Sequence, residues 1–527
     1  MCAREHTFVC RTKLRLWQRS QSVSLSLCSV AALCCGILMN QRTTLAQDDS
    51  PPALAAFALL EDTIIKAVEK AEPCVVAIAT VRYRHRVMQR QPARDPLNLQ
   101  EQIQATNPFE PGFKPREFAT GLVVTNPRKP GERLILTNYH VVQGGRRWKP
   151  DGNVTADARI FVWFNRHQVT EATIYAADPR SDLAVLKFDL RKLGLAPADI
   201  AAMPLPTDNR IRKGQFVIAL GNPYAIASQD GSPSVSLGIV SNISRFPFAE
   251  TFDDKKNSIH HLGTLMHVDT RLGPGSSGGI LLNREGKLIG ITTSLAALEG
   301  YESTIGYAIP IDVATRRIID ELIDGYEVEY GFLGVQLKAS SDPVYLYGDP
   351  SRPLGVEVEK VLEDSPAEAA GMRSGDKLLA VQRKPLYEKD DLFREIGLVA
   401  PGAVAHIRVD RSGREIVLKV HVGKWPVTGE GIIASETRFP PWRGLHVDWP
   451  TSRLGGFDRE NAYPRAVYVR KVDAGSSAGR IEAGRFIVAV NSERVETPAE
   501  FHKAVENIGR AAVSLRLQDG TEVSIRP

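Results

Sequence analysis

Three short stretches of this chain carry side chains that together could support nucleophilic catalysis, and one of them is a glycine-rich loop. Residues 275–279 read Gly-Ser-Ser-Gly-Gly and follow Gly273-Pro274. Such a loop can bring a serine hydroxyl and neighbouring backbone N–H groups into one small space, and acyl transfer needs both a nucleophile and donors for the oxyanion. Glycine and serine runs are also typical of plain turns, so the interpretation depends on a base and an acid elsewhere.

A histidine and an aspartate lie upstream of this serine. His140 follows the apolar run 134–136, and Asp182 precedes the apolar run 183–186. The order is His, Asp, Ser: Asp182 follows His140 by 42 residues, and Ser277 follows Asp182 by 95 residues. This is the chain order of the chymotrypsin-type triad, and it differs from that of subtilisins and α/β-hydrolases. Each residue alone could be an ordinary core or turn residue, but the ordered set favours catalysis.

Five motifs around these residues resemble the successive motifs of the HtrA/Deg serine proteases. They are TNYHVV at 137–142, SDLAVLK at 181–187, GNPY at 221–224, LGIVS at 237–241 and GYAIP at 306–310. The resemblance covers about residues 56–527. It implies that His140 is the general base, that Asp182 orients it and that Ser277 is the nucleophile. It also implies an oxyanion hole built from the backbone N–H groups of Gly275 and Ser277, with Ser276 as a further candidate.

The chain departs from the family pattern beside the triad. Gly273 and Ser276 stand where the family usually has asparagine, Ile280 stands where it has proline, and Tyr139 replaces a second asparagine before the histidine. No departure removes a triad member. They leave open the geometry of the serine loop and its switching.

The first 46 residues predict a secretory signal peptide. A basic start is followed by the apolar run Val23 to Met39 and by Thr44-Leu45-Ala46, which predicts cleavage after Ala46. An uncleaved anchor is the alternative, since a run of 17 residues is at the low edge for crossing a bilayer. The expected location is the periplasm or cell envelope, with a membrane-anchored or secreted protein as alternatives.

The basic charge and most cysteines belong to this leader. The chain has 66 basic residues (Lys and Arg) and 61 acidic residues (Asp and Glu). The leader holds six of the basic residues and one of the acidic residues, so 60 basic and 60 acidic residues remain in the mature chain. A mature chain without net charge argues against a nucleic-acid partner. Only Cys74 lies outside the leader, which excludes an intrachain disulfide and a thiolate metal cluster in the mature chain. Its apolar surroundings predict a core thiol with a raised pKa.

The remaining sequence predicts a multidomain, mainly-β protein. The predicted divisions are a linker and amphipathic helix at 47–72, a protease domain at 73–328 with a long loop at 82–117, a PDZ domain at 329–425, and a second, degenerate PDZ-like domain with its linker at 426–527. Short apolar runs between turns from 118 to 310 are typical of two six-stranded barrels. The triad would lie between these chymotrypsin-like barrels, and a helix over 311–324 would follow.

The last 200 residues contain a repeat with an offset of 109, in which Gly375 matches Gly484 and Leu392 matches Phe501. Both copies resemble small α+β PDZ domains, which bind peptides by strand addition and hold a carboxylate in backbone N–H groups. The resemblance places that loop at Gly331-Phe332-Leu333-Gly334-Val335, with residues 443–447 in the second copy, where Arg485 replaces Asp376. The second copy could equally bind peptide or be structural.

The resemblance implies an exported endopeptidase that cleaves unfolded or mislocalised proteins, needs no metal or organic cofactor, and binds misfolded polypeptides and C-terminal peptides. It also implies a homo-oligomer, a trimer or higher. Phe109 and Phe113, in the long loop, could be interface aromatics or belong to an ordinary loop. Membrane association would follow if the leader stays attached. The alternative function is a non-catalytic PDZ scaffold or holdase.

The expected substrate pocket lies in the segment 291–305. Thr293, Ser294 and Leu295 predict a small or medium apolar side chain before the scissile bond, whereas Glu299 and Glu302 leave a basic preference open. The resemblance to the HtrA/Deg proteases also implies that peptide binding at the first PDZ domain orders the loop 273–277 and raises activity.

Overall fold

The computed structural model describes residues 52–82, 108–110, 113, 115–145, 158–164, 168–207, 210–225, 232–244, 265–293, 306–338, 355–387, 389–426, 431–452 and 464–527. The predicted signal peptide, most of the loop 82–117, Ser294 and Leu295 lie outside these ranges. Residues 56–527 form one compact unit, separate from 1–55. Within the described ranges, we find no helix that combines the length and the apolar character needed to cross a membrane.

The first part of the compact unit is a closed antiparallel barrel. Its strand order is β1-β2-β3-β6-β5-β4. The strands are β1 (Val75–Arg82), β2 (Glu117–Asn126), β3 (Lys129–Asn138), β4 (Ala158–Phe164), β5 (Gln168–Asp178) and β6 (Leu183–Phe188).

A second closed barrel follows, with the strand order β10-β11-β12-β9-β8-β7. Its strands are β7 (Phe216–Gly221), β8 (Ser234–Ser244), β9 (Leu265–Val268), β10 (Ile280–Leu282), β11 (Leu288–Thr293) and β12 (Gly306–Pro310). The two closed barrels confirm the predicted double-barrel fold.

Strand β3 shows how alternating side chains serve two cores. Ile135 points into a cluster inside the first barrel. Leu134 and Leu136 instead join a cluster that also contains Leu220 and Ile280 of the second barrel. Because successive side chains on a strand point to opposite faces, an uninterrupted apolar run fills the barrel and at the same time joins it to its neighbour.

Among the described residues, this part of the chain contains three α-helices. They are α1 (Pro52–Ala71), the single turn α2 (Tyr139–Val142) and α3 (Val313–Ile323). Helix α3 begins after Asp312, whose side chain accepts a hydrogen bond from the Thr315 N–H, as an N-cap residue does. Its buried face, which includes Ile319 and Leu322, packs on the core shared by the barrels.

Cys74 is buried, as predicted, with 4% of its surface exposed. Burial raises the pKa of its thiol to about 11, so the thiolate is scarce at neutral pH.

Two aromatic residues of the long loop pack on the outside of the first barrel. The ring of Phe113 stacks on Trp163 at 6.0 Å, and Phe109 meets Phe161 edge-on at 5.5 Å. Phe109 keeps 55% of its surface exposed. The interface role of this pair stays a prediction.

Two sheets with the same strand order form the C-terminal part. They are β14-β15-β16-β18-β19 and β21-β22-β23-β25-β26, and each has one short extra strand, β17 or β24. The first set is β14 (Val335–Leu337), β15 (Val356–Val361), β16 (Lys377–Val381), β17 (Lys384–Pro385), β18 (Val404–Arg411) and β19 (Arg414–His421), with helices α4 (Pro366–Ala369) and α5 (Lys389–Gly397). On either side of this sheet in the chain, β13 (Gly331–Phe332) and β20 (Gly423–Lys424) pair as a separate two-stranded sheet. The second set is β21 (Leu445–Asp448), β22 (Val467–Val472), β23 (Phe486–Val490), β24 (Glu493–Arg494), β25 (Val513–Leu517) and β26 (Glu522–Ile525), with helix α6 (Pro498–Glu506).

The repeat aligns differently at the start of each sheet from the way the sequence alignment placed it. Gly334 and Gly444 both have φ near +82°, and an added Cβ at either would lie within 2.4 Å of the Cβ of a serine, Ser365 or Ser476. Residues 441–445, and not 443–447, therefore correspond to 331–335. The sequence analysis placed this loop two residues too late, because the second copy keeps only one glycine, Gly444, where the first has Gly331 and Gly334, and a single glycine does not fix the register.

A salt bridge is reversed between the two copies. Asp376 is buried and receives two hydrogen bonds of 2.7 Å from the Arg411 guanidinium. Burial alone would raise the pKa of Asp376, but the hydrogen bonds from Arg411 and the Arg373 N–H lower it. In the second copy Arg485 stands in the place of Asp376, and it pairs with Asp519. The two copies therefore keep this ion pair with the positions of the acidic and the basic residue exchanged.

A buried lysine joins the segments around both sheets. Lys424 is 2% exposed, and its Nζ lies 3.1 Å from Glu327, 3.3 Å from Glu329 and 3.2 Å from Asp448. Burial alone would lower the pKa of Lys424, but the three carboxylates together raise it. Removing one partner of such a cluster leaves a buried charge without compensation.

We expect Asp376→Arg to destabilise the protein by about 3 kcal/mol, because it places two cations together and leaves Arg411 without its carboxylate. Adding Arg411→Asp recreates the second copy's arrangement and is expected to recover most of that loss. Urea denaturation of the single and double variants measures both. A double variant no more stable than the single one would contradict the exchanged-pair interpretation.

Candidate active site

The structure brings the three sequence-predicted side chains into one hydrogen-bonded chain. His140 Nδ1 lies 2.9 Å from Asp182 Oδ2, and His140 Nε2 lies 3.1 Å from Ser277 Oγ. Asp182 has no exposed surface, Ser277 is 4% exposed, and the His140 side chain is 14% exposed. Since a buried carboxylate accepts from Nδ1–H, the Nε2 lone pair is left facing the serine hydroxyl. This geometry can activate a serine for attack on a carbonyl carbon.

Asp182 stands in the turn between β5 and β6 in a left-handed conformation, with φ of 54°. A non-glycine residue keeps such a conformation only where its surroundings determine it. Its carbonyl oxygen accepts from the Tyr139 N–H at 3.0 Å and from Asn138 Nδ2 at 3.1 Å. Its carboxylate also accepts from the His140 N–H at 3.0 Å. The segment that carries the histidine therefore holds the aspartate through main chain as well as side chain.

A second carboxylate, Asp178, braces the same turn. It accepts from the Ser181 N–H at 3.1 Å, from Arg180 Nε at 2.7 Å and from the Tyr330 hydroxyl at 2.5 Å. Burial, followed by the nearby Asp178 charge, raises the pKa of Tyr330 well above its usual value. The phenol is therefore protonated and acts as the donor.

Ser277 lies just after a tight turn. The Ser276 N–H donates to the Gly273 carbonyl at 3.0 Å, Pro274 is the second residue of the turn, and Gly275 has φ of 93°. These are the features of a type II turn, which favours Pro-Gly at its centre. The Ser276 N–H is used inside the turn, so Ser276 has to be withdrawn as an oxyanion donor. The Gly275 N–H has no acceptor among the described residues.

Thr120 on β2 anchors the serine loop and was missed by the sequence analysis. Its N–H donates to the Ser277 carbonyl at 2.8 Å, and its hydroxyl donates to the Gly275 carbonyl at 2.8 Å. From β11, the Thr292 hydroxyl donates to the Ser276 carbonyl at 2.5 Å. Threonines are ordinary strand residues, so no local pattern distinguishes these two.

Thr293, which the sequence analysis placed in the substrate pocket, has a side-chain contact with the triad. Its hydroxyl lies 3.3 Å from Asp182 Oδ2, and its side chain is buried. Because that hydroxyl faces the aspartate, it also supports the triad. Ser294 and Leu295 lie outside the described residues, so the apolar pocket stays a prediction.

The predicted peptide loop of the first C-terminal sheet borders a groove of about 340 Å³. Strand β14 lies on one side and helix α5 on the other, and the apolar wall includes Leu333, Val335, Phe393, Ile396 and Trp425. Strand β14 is the edge strand of its sheet, and an edge strand can accept a further strand. The N–H groups of Leu333 and Gly334 have no acceptor among the described residues.

The corresponding loop of the second sheet is closed by its own backbone. Trp442 and Leu445 exchange N–H···O hydrogen bonds of 3.0 and 2.8 Å. The Arg443 guanidinium donates to the carbonyls of Ile525, Gly509 and Ala511. These contacts favour the structural alternative for the second copy.

Comparisons with known proteins agree with this geometry. Residues 119–291 match the trypsin-like peptidase domain, and residues 331–422 match the PDZ domain. A probable periplasmic serine endoprotease DegP-like from Ectopseudomonas mendocina is 28% identical over 478 residues, covering 88% of this chain and 93% of that protein. One from Chlamydia trachomatis is also 28% identical, over 77% of this chain and 73% of that protein.

The chain belongs to the HtrA/Deg family of serine proteases. It is therefore a hydrolase with a trypsin-like peptidase domain and a PDZ domain. Among solved structures, the HtrA-type protease AlgW with a decapeptide is 25% identical, with a TM-score of 0.47 over 69% of this chain and 99% of that one. Within the described residues of this HtrA/Deg protein, no group of three or more His, Cys, Asp and Glu side chains is placed to hold a metal ion.

We expect Gly278→Ala to reduce proteolytic activity at least a hundredfold. A Cβ at Gly278, where φ is 79°, would lie 2.0 Å from the Thr120 carbonyl oxygen and 2.3 Å from Thr137 Oγ1, so the serine loop must move. Gly214→Ala is the matched control, because φ is 81° there and no atom lies within 4 Å of the added Cβ. Casein hydrolysis by the two variants measures the difference, and equal activities would contradict this reading of the loop.

Proposed function

We propose that this protein is an exported endopeptidase that cleaves unfolded or mislocalised proteins through an acyl-enzyme, with His140, Asp182 and Ser277 as its catalytic residues. The observation that carries the proposal is the continuous hydrogen-bonded chain from a buried carboxylate to a serine hydroxyl. The domain division 73–328, 329–425 and 426–527 is part of the same proposal.

In this proposal each group of the triad has one role. Ser277 Oγ attacks the peptide carbonyl carbon while His140 Nε2 takes its proton, and Asp182 stabilises the imidazolium that forms. His140 then gives that proton to the leaving amine, and water repeats the sequence to release the acid. The N–H groups of Gly275 and Ser277 are the proposed oxyanion donors, and losing one such donor typically costs about 2.7–4 kcal/mol of barrier.

The groove beside β14 is the proposed site for peptides with a free C-terminus. A peptide would pair with the edge strand β14, its carboxylate would meet the N–H groups of Leu333 and Gly334, and its last side chain would lie against Phe393 and Ile396. The support is the open edge, the two N–H groups and the apolar lining. Occupancy of this groove is proposed to regulate the protease.

A periplasmic location is proposed because the similar proteins are named periplasmic and the leader predicts export. A trimeric or larger homo-oligomer and an apolar preference before the scissile bond complete the proposal, on the resemblance and on the sequence of 293–295.

We expect Ser277→Ala to abolish casein hydrolysis, because no nucleophile would remain beside His140 Nε2. Ser276→Ala is the matched control: the Ser276 N–H and carbonyl, which make the loop contacts, survive the change. Gel-based proteolysis compares the variants with the unaltered protein. Undiminished cleavage by Ser277→Ala would refute Ser277 as the nucleophile, whereas an unaltered protein that does not cleave casein would favour a scaffold or holdase.

A labelled peptide with a free C-terminal carboxylate is expected to bind, and its C-terminal amide is expected to bind far more weakly. Phe393→Ala should weaken binding about tenfold, because it removes part of the apolar wall that also contacts Trp425. Phe439→Ala, at an aromatic residue stacked on His502 of helix α6, is the control. Fluorescence anisotropy measures both, and equal affinity for acid and amide would contradict the carboxylate site.

A further inference from the structure

A segment from the C-terminal half of the chain returns to the first barrel beside the triad. Residues 431–436, which we term the strap, follow β20 and precede β21. Ile433 forms an antiparallel bridge with Ala177 at the end of β5. The Ala177 N–H donates to the Ile433 carbonyl at 2.8 Å, and the Ile433 N–H donates to the Ala177 carbonyl at 2.9 Å. The Ile433 side chain is 7% exposed and belongs to the core cluster of the first barrel, as does Tyr139.

The other end of the strap is also fixed. The N–H groups of Ser435 and Glu436 both donate to the Gly325 carbonyl at 3.0 Å. The Ser435 hydroxyl donates to the Tyr175 carbonyl, and the Tyr175 hydroxyl lies 3.3 Å from Glu436 Oε1. The strap is thus bound along its length to β5 and to the residues that follow α3.

Gly431 contacts both sides of the pair formed by His140 and Asp182. A Cβ added at Gly431 would lie 2.4 Å from the Tyr139 hydroxyl oxygen and 2.7 Å from Pro179 Cγ. Tyr139 immediately precedes His140, and its N–H donates to the Asp182 carbonyl. Pro179 belongs to the turn that ends at Asp182, where its carbonyl accepts from the Asp182 N–H at 3.3 Å. The strap therefore packs where the histidine segment meets the aspartate turn.

We propose that the strap is a positioning element for the triad, so that the protease site of this chain is complete only when residues 431–436 are docked on the first barrel. The proposal rests on the proposed roles of His140, Asp182 and Ser277. It also assigns a function to Tyr139, which stands where the family usually has asparagine: its ring and hydroxyl form the surface that receives Gly431. Gly431 and Tyr139 act through His140 and Asp182, and touch no substrate.

The physical basis is the strained turn at Asp182. Its left-handed backbone is kept by contacts from outside the turn, and the strap supplies contacts at both Ala177 and Pro179. A Cβ atom at Gly431 would clash with both Tyr139 and Pro179, and the resulting shift would change the alignment of His140 with Asp182. Because Gly431 acts through the alignment of His140 and Asp182, kcat should fall while KM stays the same.

The test uses the full chain with Gly431→Ala. We expect kcat for casein, and the rate constant for labelling by a fluorophosphonate, to fall about tenfold with KM unchanged. Gly131→Ala, where no atom lies within 4 Å of the added Cβ, should leave both unchanged. Tyr139→Phe removes the oxygen nearest to the new Cβ, so Gly431→Ala combined with Tyr139→Phe should recover several-fold relative to Gly431→Ala alone.

Amide hydrogen exchange tests the proposal independently of catalysis. In a Ser277→Ala background, hydrogen exchange of the Tyr139 and Ala177 amides should quicken in Gly431→Ala and stay unchanged in Gly131→Ala. If Gly431→Ala does not fold, Ile433→Ala replaces it, because it keeps the main-chain bridge and removes the side chain that shares a core with Tyr139. The same fall in rate is then expected.

Labelling of Gly431→Ala within twofold of the unaltered protein, purely additive effects of the Gly431 and Tyr139 changes, or unchanged exchange would each overturn the proposal. An unaltered protein that takes no fluorophosphonate would instead refute the proposed function, and the exchange measurement would still decide on the strap. A lower melting temperature with unchanged kcat would show that the strap is only structural.

Discussion

The site depends on one constraint: a carboxylate without solvent exposure, Asp182, has to be held in a left-handed backbone conformation while it accepts hydrogen bonds from His140. Burial strengthens its interaction with the imidazole, and the same burial makes misalignment costly, because an unpaired buried charge has no water to compensate it. The Tyr139 N–H, the Asn138 side chain and the Thr293 hydroxyl all serve this residue. The serine loop has its own anchors on Thr120 and Thr292, so the two halves of the triad are positioned separately and meet at His140.

The support for Asp182 extends beyond the barrels. Tyr330, the residue before the loop that borders the peptide groove, donates to Asp178 in the same turn, and its carbonyl accepts from the Trp425 N–H at 2.6 Å. The strap reaches the turn from the other end of the first PDZ domain. The catalytic geometry and the peptide groove therefore share a short physical connection, and the buried cluster around Lys424 fixes the segments between them. Such a connection would allow the state of one site to bias the other.

The sequence predicted the double barrel and the residues of the triad because both rest on local signals: apolar runs between turns, and short motifs in a fixed order. It did not predict the contact of the Thr293 hydroxyl or the use of the Ser276 N–H inside a turn, because both depend on backbone angles that composition does not reveal. The loop of the second PDZ-like domain was misplaced because it has one glycine, Gly444, where the first loop has Gly331 and Gly334, and a single glycine does not fix the register. The contact of Ile433 with Ala177 had no signal at all, since the two residues are distant in sequence and neither belongs to a motif.

The central claim is that Ser277, aligned by His140 and a buried Asp182, is the nucleophile. Mass-spectrometric mapping of the adduct formed by a fluorophosphonate tests it most directly. The account predicts one adduct per chain, on Ser277, and none when His140 is replaced by alanine. An adduct on Ser276 or another serine, or equal labelling without His140, would contradict it.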